Sequence, residues 1–124
     1  MMTIVCRGIR GATTAEMNTK ESILEATKEL LHKVIAANSI EPSQVAAIFF
    51  TTTPDLNAAF PAVAARAMGW NNTALLCSHE MSVPDGLPGC IRVLILVNTE
   101  KGLEELVHVY LKEAITLRAG DLDE

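Results

Sequence analysis

Apolar and polar positions change period several times along the chain, and each change marks an element. Residues 2–10 have the apolar character of a first strand, which Gly8 and Gly11 bring to an end. Asn18, followed three residues later by Glu21, reads as a helix start with a capping box in which Asn replaces Ser or Thr. Ile23, Thr27, Leu30, Leu31, Val34 and Ile35 then recur at helical spacing, so a helix is expected over 19–37, stopping before Pro42. Val45-Ala46-Ala47-Ile48-Phe49-Phe50 is a continuous apolar run, consistent with a buried strand that leaves through Thr51-Thr52-Thr53-Pro54-Asp55. Pro61 suits the first turn of a second, alanine-rich helix, with Gly69 as its C-cap. Phe60 precedes that proline and is expected to be extended, just outside the helix. Residues 73–77 read as a short third strand, 78–89 as a loop punctuated by proline and glycine, and 90–98 as a fourth strand. For 102–118 the expectation is a helical turn at 103–107 and then a strand near 108–117.

The order β-α-β-α-β-β with one further element predicts an α/β (α+β) fold, a sheet with two main helices packed on one face. The chain reads as a single domain over 1–118, followed by a flexible acidic tail at 119–124.

The apolar run Cys90-Ile91-Arg92-Val93-Leu94-Ile95-Leu96-Val97 contains one arginine. A guanidinium keeps its proton at neutral pH, and an unpaired buried charge is costly. Arg92 therefore needs an anionic partner, either an acid of the protein or an anionic ligand. Arg7 and Arg10 in Val5-Cys6-Arg7-Gly8-Ile9-Arg10-Gly11, and Arg118 after Ala114-Ile115-Thr116-Leu117, also stand where apolar segments end. Lys20, Lys28 and Lys33 instead lie on the polar face of an amphipathic stretch. Arginine forks match carboxylates bidentately, so this distribution points to a pocket for a small polyanion.

Composition sharpens that picture. A net charge of −5 over 124 residues argues against a general nucleic-acid-binding surface and makes any anion pocket a local feature of an acidic body. The chain is 49% hydrophobic with only 4% aromatic residues, so its core is aliphatic, and a small domain this apolar is expected to bury surface against copies of itself. Cys6, Cys77 and Cys90 are odd in number and irregularly spaced, which speaks for a reducing compartment rather than a disulfide framework. The first apolar stretch is broken by Arg7 and Arg10, unlike a signal peptide, and no apolar run approaches the roughly 20 residues of a membrane span. A cytoplasmic location is expected.

Several constellations have two readings. Gly8-Ile9-Arg10-Gly11 lacks dinucleotide-fingerprint spacing; it is either a glycine-flexed strand end or an anion ligand through Arg10. Cys77-Ser78-His79-Glu80 does not supply a recognised metal set, and no metal is expected. Cys77 and His79 would share a strand face, as a thiol dyad requires, or Cys77 packs as a small hydrophobe. Glu80 is either a structural partner of Arg92 or an acceptor for a substrate hydroxyl. Tyr110 and Phe60 read by default as core, and His32 and His108 as surface or satisfied residues. No conventional hydrolase, kinase or phosphate-loop motif is present, so the chemistry needs no obvious nucleophile, metal or nucleotide.

Six blocks then carry a family likeness. They are Arg7-Gly8-Ile9-Arg10-Gly11-Ala12-Thr13-Thr14, Thr53-Pro54-Asp55-Leu56 with Phe60-Pro61-Ala62, Cys77 with Glu80-Met81, Cys90-Ile91-Arg92-Val93, His108-Val109-Tyr110-Leu111, and Leu117-Arg118. In this order, spanning residues 4–118, they resemble the AroH-type chorismate mutases. The resemblance implies an isomerase that rearranges chorismate to prephenate on the route to phenylalanine and tyrosine, without a cofactor. It also implies a mixed sheet with helices on one side, and a homotrimeric pseudo-barrel with active sites at the subunit interfaces. By the same likeness, Arg10 and Arg92 hold the side-chain carboxylate of the substrate, and Arg92 donates to the ether oxygen. Glu80 and the Cys77 region take the ring hydroxyl, and Tyr110 a carboxylate. Phe60 and Leu117 wall the ring, while Arg66 and Arg118 stand near the mouth.

Three positions depart from the family pattern. Val63 stands where some relatives have lysine, Leu76 where a threonine-like residue precedes the cysteine, and Ala119 where a proline follows the arginine. Two other functions use the same arginines: a non-catalytic trimeric module that binds a small carboxylate, and a Rid-type imine deaminase.

Overall fold

The computed structural model describes residues 3–120, with side chains as far as Leu117. Its elements are β1 (Val5–Thr14), α1 (Lys20–Asn38), β2 (Val45–Thr52), α2 (Ala62–Ala67), β3 (Ala74–His79), β4 (Cys90–Thr99), β5 (Val109–Tyr110) and α3 (Ile115–Gly120). Short 3₁₀ turns occupy Pro42–Gln44, Leu103–Glu105 and Lys112–Ala114. The five strands form one mixed sheet in the order β3-β2-β4-β1-β5. β4 runs antiparallel to both β1 and β2, while β2–β3 and β1–β5 are parallel pairs.

Alternation along the strands sorts the two faces. Ile9 of β1, Ile48 and Phe50 of β2, and Val93, Ile95 and Val97 of β4 are buried against Leu30, Leu31 and Val34 of α1 and Ala62 and Ala65 of α2. This aliphatic layer is the main core, and α1 and α2 cover the same face, as expected. The opposite face carries Phe49, Leu94 and Leu76, which are 36%, 38% and 59% exposed. These three lie in one row across the sheet, because Phe49 pairs with Leu76 on one side and with Leu94 on the other. The C-terminal segment crosses to this second face at one end, where Ala114 and Leu117 bury Ala12 and Cys90.

Local chemistry explains the helix ends. α1 starts one residue later than the capping box predicts: Thr19, in an extended conformation, accepts the Ser22 N–H at 3.2 Å. Asn18 is drawn away to a loop, where its Oδ1 accepts the Asn57 and Ala58 N–H groups at 2.9 and 3.0 Å. α2 ends in a Schellman motif, with Gly69 at φ 99°, its N–H on the Arg66 carbonyl and the Trp70 N–H on the Ala65 carbonyl.

Two expectations fail. β1 does not end at Gly8 and Gly11 but runs through both to Thr14, fully paired with β4. Gly11 is there because α1 packs directly onto it: a Cβ at this position would meet Val34 Cγ2 at 2.9 Å, and Leu30 Cδ1 and Val93 Cγ2 at 3.1 Å each. Gly11→Ala is expected to lower stability by about 1–3 kcal/mol through overpacking, read as a lower urea midpoint at fixed protein concentration. An unchanged midpoint would show that the helix yields freely there. The second failure is the strand near 108–117. Only Val109–Tyr110 is strand; Lys112 then turns the chain at a left-handed φ of 53°, and a 3₁₀ turn leads into α3. In the proposed tail, Ala119 and Gly120 continue α3, and 121–124 lie outside the described residues.

Candidate active site

The second face of the sheet gathers three of the charged residues singled out by sequence, Arg10, Glu80 and Arg92. Arg92 on β4 is flanked in register by Thr51 on β2 and Ala12 on β1, and Ala12 in turn pairs with Tyr110 on β5. Arg10 sits two residues before Ala12 on the same face, paired with Leu94. Glu80 follows directly on β3, its N–H bonded to the Thr52 carbonyl at 2.8 Å, which extends the parallel ladder by one residue. Together Arg10, Gly11, Phe49, Thr51, Glu80, Arg92, Val93 and Leu94 line an open concavity of about 250 Å³.

Its electrostatics centre on one carboxylate oxygen. Thr51 Oγ1 donates to Glu80 Oε2 at 2.6 Å. The same oxygen faces Arg92 Nε at 3.6 Å, an ion pair too long for a hydrogen bond. Arg92 Nε is buried and has no hydrogen-bond partner. The guanidinium is thus neutralised on one side but not saturated with acceptors. Two arginines and one glutamate line the concavity, so its charged groups are mainly cationic on an acidic chain. Cys90, beside Arg92 in the strand, has its thiol pushed up by burial, which outweighs the lowering effect of the Arg92 guanidinium.

The Thr53-Pro54-Asp55-Leu56 block supports this geometry from outside the pocket. The Thr53 N–H bonds the Cys90 carbonyl and the Cys90 N–H bonds Thr53 Oγ1, both at 3.0 Å. Asp55 Oδ2 accepts the Gly89 N–H at 2.8 Å. The exit of β2 is therefore locked to the entrance of β4, where Arg92 begins. On the other side, His108 Nδ1 accepts the Arg10 backbone N–H at 2.9 Å and ties β1 to the segment before β5.

Not every residue expected at the site is brought there within one chain. Tyr110 is half-buried against the small cluster of Ala12, Cys90, Ala114 and Leu117, so Tyr110 and Leu117 both stand at the Arg92 end of the second face. The Cys77 thiol points the other way, packing into the helix-side core, where burial pushes it up against the lowering influence of the Ala62 backbone. His79 shares that side of β3 but engages Thr52 Oγ1 at 3.1 Å. Phe60 is 68% exposed, and neither it nor the exposed Arg66 lines the concavity. The Arg118 side chain lies outside the described residues. Arg7 points to the helix side and donates from Nε to the Lys101 carbonyl at 3.1 Å. Among the described residues, no group of three or more His, Cys, Asp or Glu could hold a metal ion, and no helix is long and apolar enough to cross a membrane.

Sequence reasoning passed over Thr51. Its signal was faint: an odd-numbered β2 position, alternating with buried Ile48, Phe50 and Thr52, and so destined for the face of Arg92.

Comparisons with known proteins agree with this arrangement. The family model described as chorismate mutase type I matches residues 6–121. The chain is 45% identical over 116 residues to chorismate mutase AroH of Bacillus subtilis, covering 93% of this chain and 91% of that protein. It is 50% identical over 113 residues to chorismate mutase AroH of Thermus thermophilus, covering 90% and 93%. The solved structure of a chorismate mutase from Clostridium thermocellum superposes with a TM-score of 0.88 at 48% identity, covering 90% of this chain and 99% of that one. A family match across nearly all the described residues and the same fold in a relative of this identity lead to one assignment: the chain belongs to the type I chorismate mutase family.

Proposed function

We propose that the chain is an isomerase that converts chorismate to prephenate by holding the substrate folded and stabilising the charge that develops on its ether oxygen. The observation that carries this reading is the arrangement of Arg10, Arg92 and Glu80 in one concavity, with Arg92 ion-paired but not fully hydrogen-bonded. Chorismate is a dianion with a ring hydroxyl, and the reaction breaks one C–O bond while forming one C–C bond within the same molecule. It needs no nucleophile, and no proton is transferred.

In this reading Arg10 and Arg92 bind the side-chain carboxylate. Arg92 also donates to the ether oxygen, where negative charge grows as the C–O bond breaks. One preorganised donor of that kind contributes about 3–4 kcal/mol. Glu80 accepts the ring hydroxyl, and Tyr110 donates to a carboxylate. Confinement of the two reacting ends near attack distance supplies much of the remaining acceleration.

The concavity on one chain is open and shallow, smaller than the roughly 300 Å³ at which enclosed ligand sites begin. Its rim carries the exposed row of Leu76, Phe49 and Leu94. A second copy laid on this face would cover the row; in this reading Phe60 and Arg66, which lie outside the concavity of their own chain, reach a site on the neighbouring copy. The exposed row supports burial against another copy; in this reading the copies form a homotrimer with sites at its interfaces, working in the cytoplasm on the route to phenylalanine and tyrosine. The test is loss of chorismate by ultraviolet absorbance, with prephenate identified as product. Conversion is expected to persist in chelator; a folded protein that binds chorismate without turnover would replace the enzyme with a binding module.

A further inference from the structure

Thr51 and Arg92 compete for one oxygen of Glu80. The Thr51 hydroxyl holds Oε2 at 2.6 Å, and Arg92 Nε stands 3.6 Å from the same atom. Thr51 and Arg92 are register partners on adjacent strands, so they flank the carboxylate from fixed positions. The Glu80 backbone is fixed as well, through its N–H on Thr52. Only the side-chain torsions of Glu80 and Arg92 are left to decide how far apart the charges stay. Charge-assisted N–H···O contacts relax to about 2.7–2.9 Å when nothing prevents it. The gap at Arg92 is wider than that, and the unpartnered Nε is its consequence.

We propose that Thr51 is a positioning residue that keeps Glu80 from closing onto Arg92, so that the free protein presents an open anion site instead of a collapsed ion pair. The proposal rests on the chorismate reading for its kinetic form only. Without the hydroxyl, the carboxylate swings into a full hydrogen-bonded fork with Arg92. An incoming carboxylate then has to break that fork first. The same penalty falls on bound substrate and transition state, so it raises KM and leaves kcat nearly unchanged.

Thr51→Val keeps the branched shape and strand preference while removing the hydroxyl; Thr51→Ser keeps the hydroxyl. A hydrogen bond to a charged group supports an expected rise in KM of about 10- to 100-fold for Thr51→Val, with kcat held within about threefold. Thr51→Ser is expected to restore a KM close to wild type. In a Glu80→Ala background, Thr51→Val is expected to have no further effect on KM, since Thr51 acts only through Glu80. Thr51→Ala is the alternative should the valine variant not fold. Equal losses in the valine and serine variants, a fall in kcat at unchanged KM, a wild-type KM in Thr51→Val, or an effect that survives Glu80→Ala would each overturn the proposal. The nitrogen-15 resonance of Arg92 Nε gives a readout independent of turnover. It is expected to move to the position of a hydrogen-bonded guanidinium in Thr51→Val alone, and an unmoved resonance refutes the positioning role. Absence of chorismate turnover in the wild type, by contrast, defeats the assigned reaction and leaves the resonance test intact.

Discussion

Arg92→Ala is expected to lower kcat by at least about 10³-fold while the fold survives, because in the proposed mechanism this one residue supplies both a carboxylate ligand and the donor to the breaking bond. The alanine variant also leaves Glu80 as an uncompensated anion facing a dianionic substrate. Arg92→Lys is expected to recover little, since an ammonium lacks the planar fork. Arg92→citrulline separates shape from charge: it retains the planar group and loses the cation. If the citrulline variant is as slow as alanine, the charge at the ether oxygen is what matters. Single-turnover kinetics on purified variants, with circular dichroism as the check on folding, decide it. A fully active Arg92→Ala variant would remove the mechanism proposed for this site.

A second large effect is expected from mixing two inactive variants. Arg92→Ala spoils the face that carries the concavity. Phe60→Asp places an anion on an exposed position that lies outside that concavity, and it is expected to be nearly inactive by itself. If sites lie between copies, a mixed assembly contains interfaces in which Arg92 from one chain meets Phe60 from the other, both intact. Random assembly from equal amounts gives about one such site in four. Co-refolding the two variants is therefore expected to restore about a quarter of wild-type turnover from two preparations that have almost none. A mixture no better than its components would mean that each site is completed within one chain.

The elements that depend on local periodicity were legible in the sequence. The spacing of Ile23, Leu30, Leu31 and Val34 gave α1 within a residue at each end, and the apolar runs gave β2 and β4. What failed depended on partners distant in sequence. Gly11 reads as a strand end until α1 is seen lying on it. Val107, Val109, Leu111, Ile115 and Leu117 all fall on odd positions and imitate a strand, but Lys112 adopts a left-handed conformation that lysine does not announce. Arg10, Glu80 and Arg92 were conspicuous because charges near apolar runs demand an explanation. Thr51 was not, since a threonine in a strand is ordinary until register sets it opposite Arg92. Nor does any local signal reveal that the Cys77 thiol faces the helices; that follows from its pairing with buried Phe50.

The internal position of β1, between β4 and β5, bears on how the protein is made. Val5 pairs with Thr99 and Thr14 with Cys90, and β1's other neighbour, β5, comes later still. As the chain leaves the ribosome, β1 has no sheet to join until β4 has been synthesised. Over that interval α1 and the β2–β3 pair can form from nearby residues, while the first strand waits with its backbone unpaired. Non-local closure of this kind is slow and exposes nascent protein to aggregation. Arg10 and Arg92 meet only when that closure occurs, so the concavity they line exists only once β4 is in place. Chaperone dependence during synthesis would then fall mainly on the stretch of translation between β1 and β4.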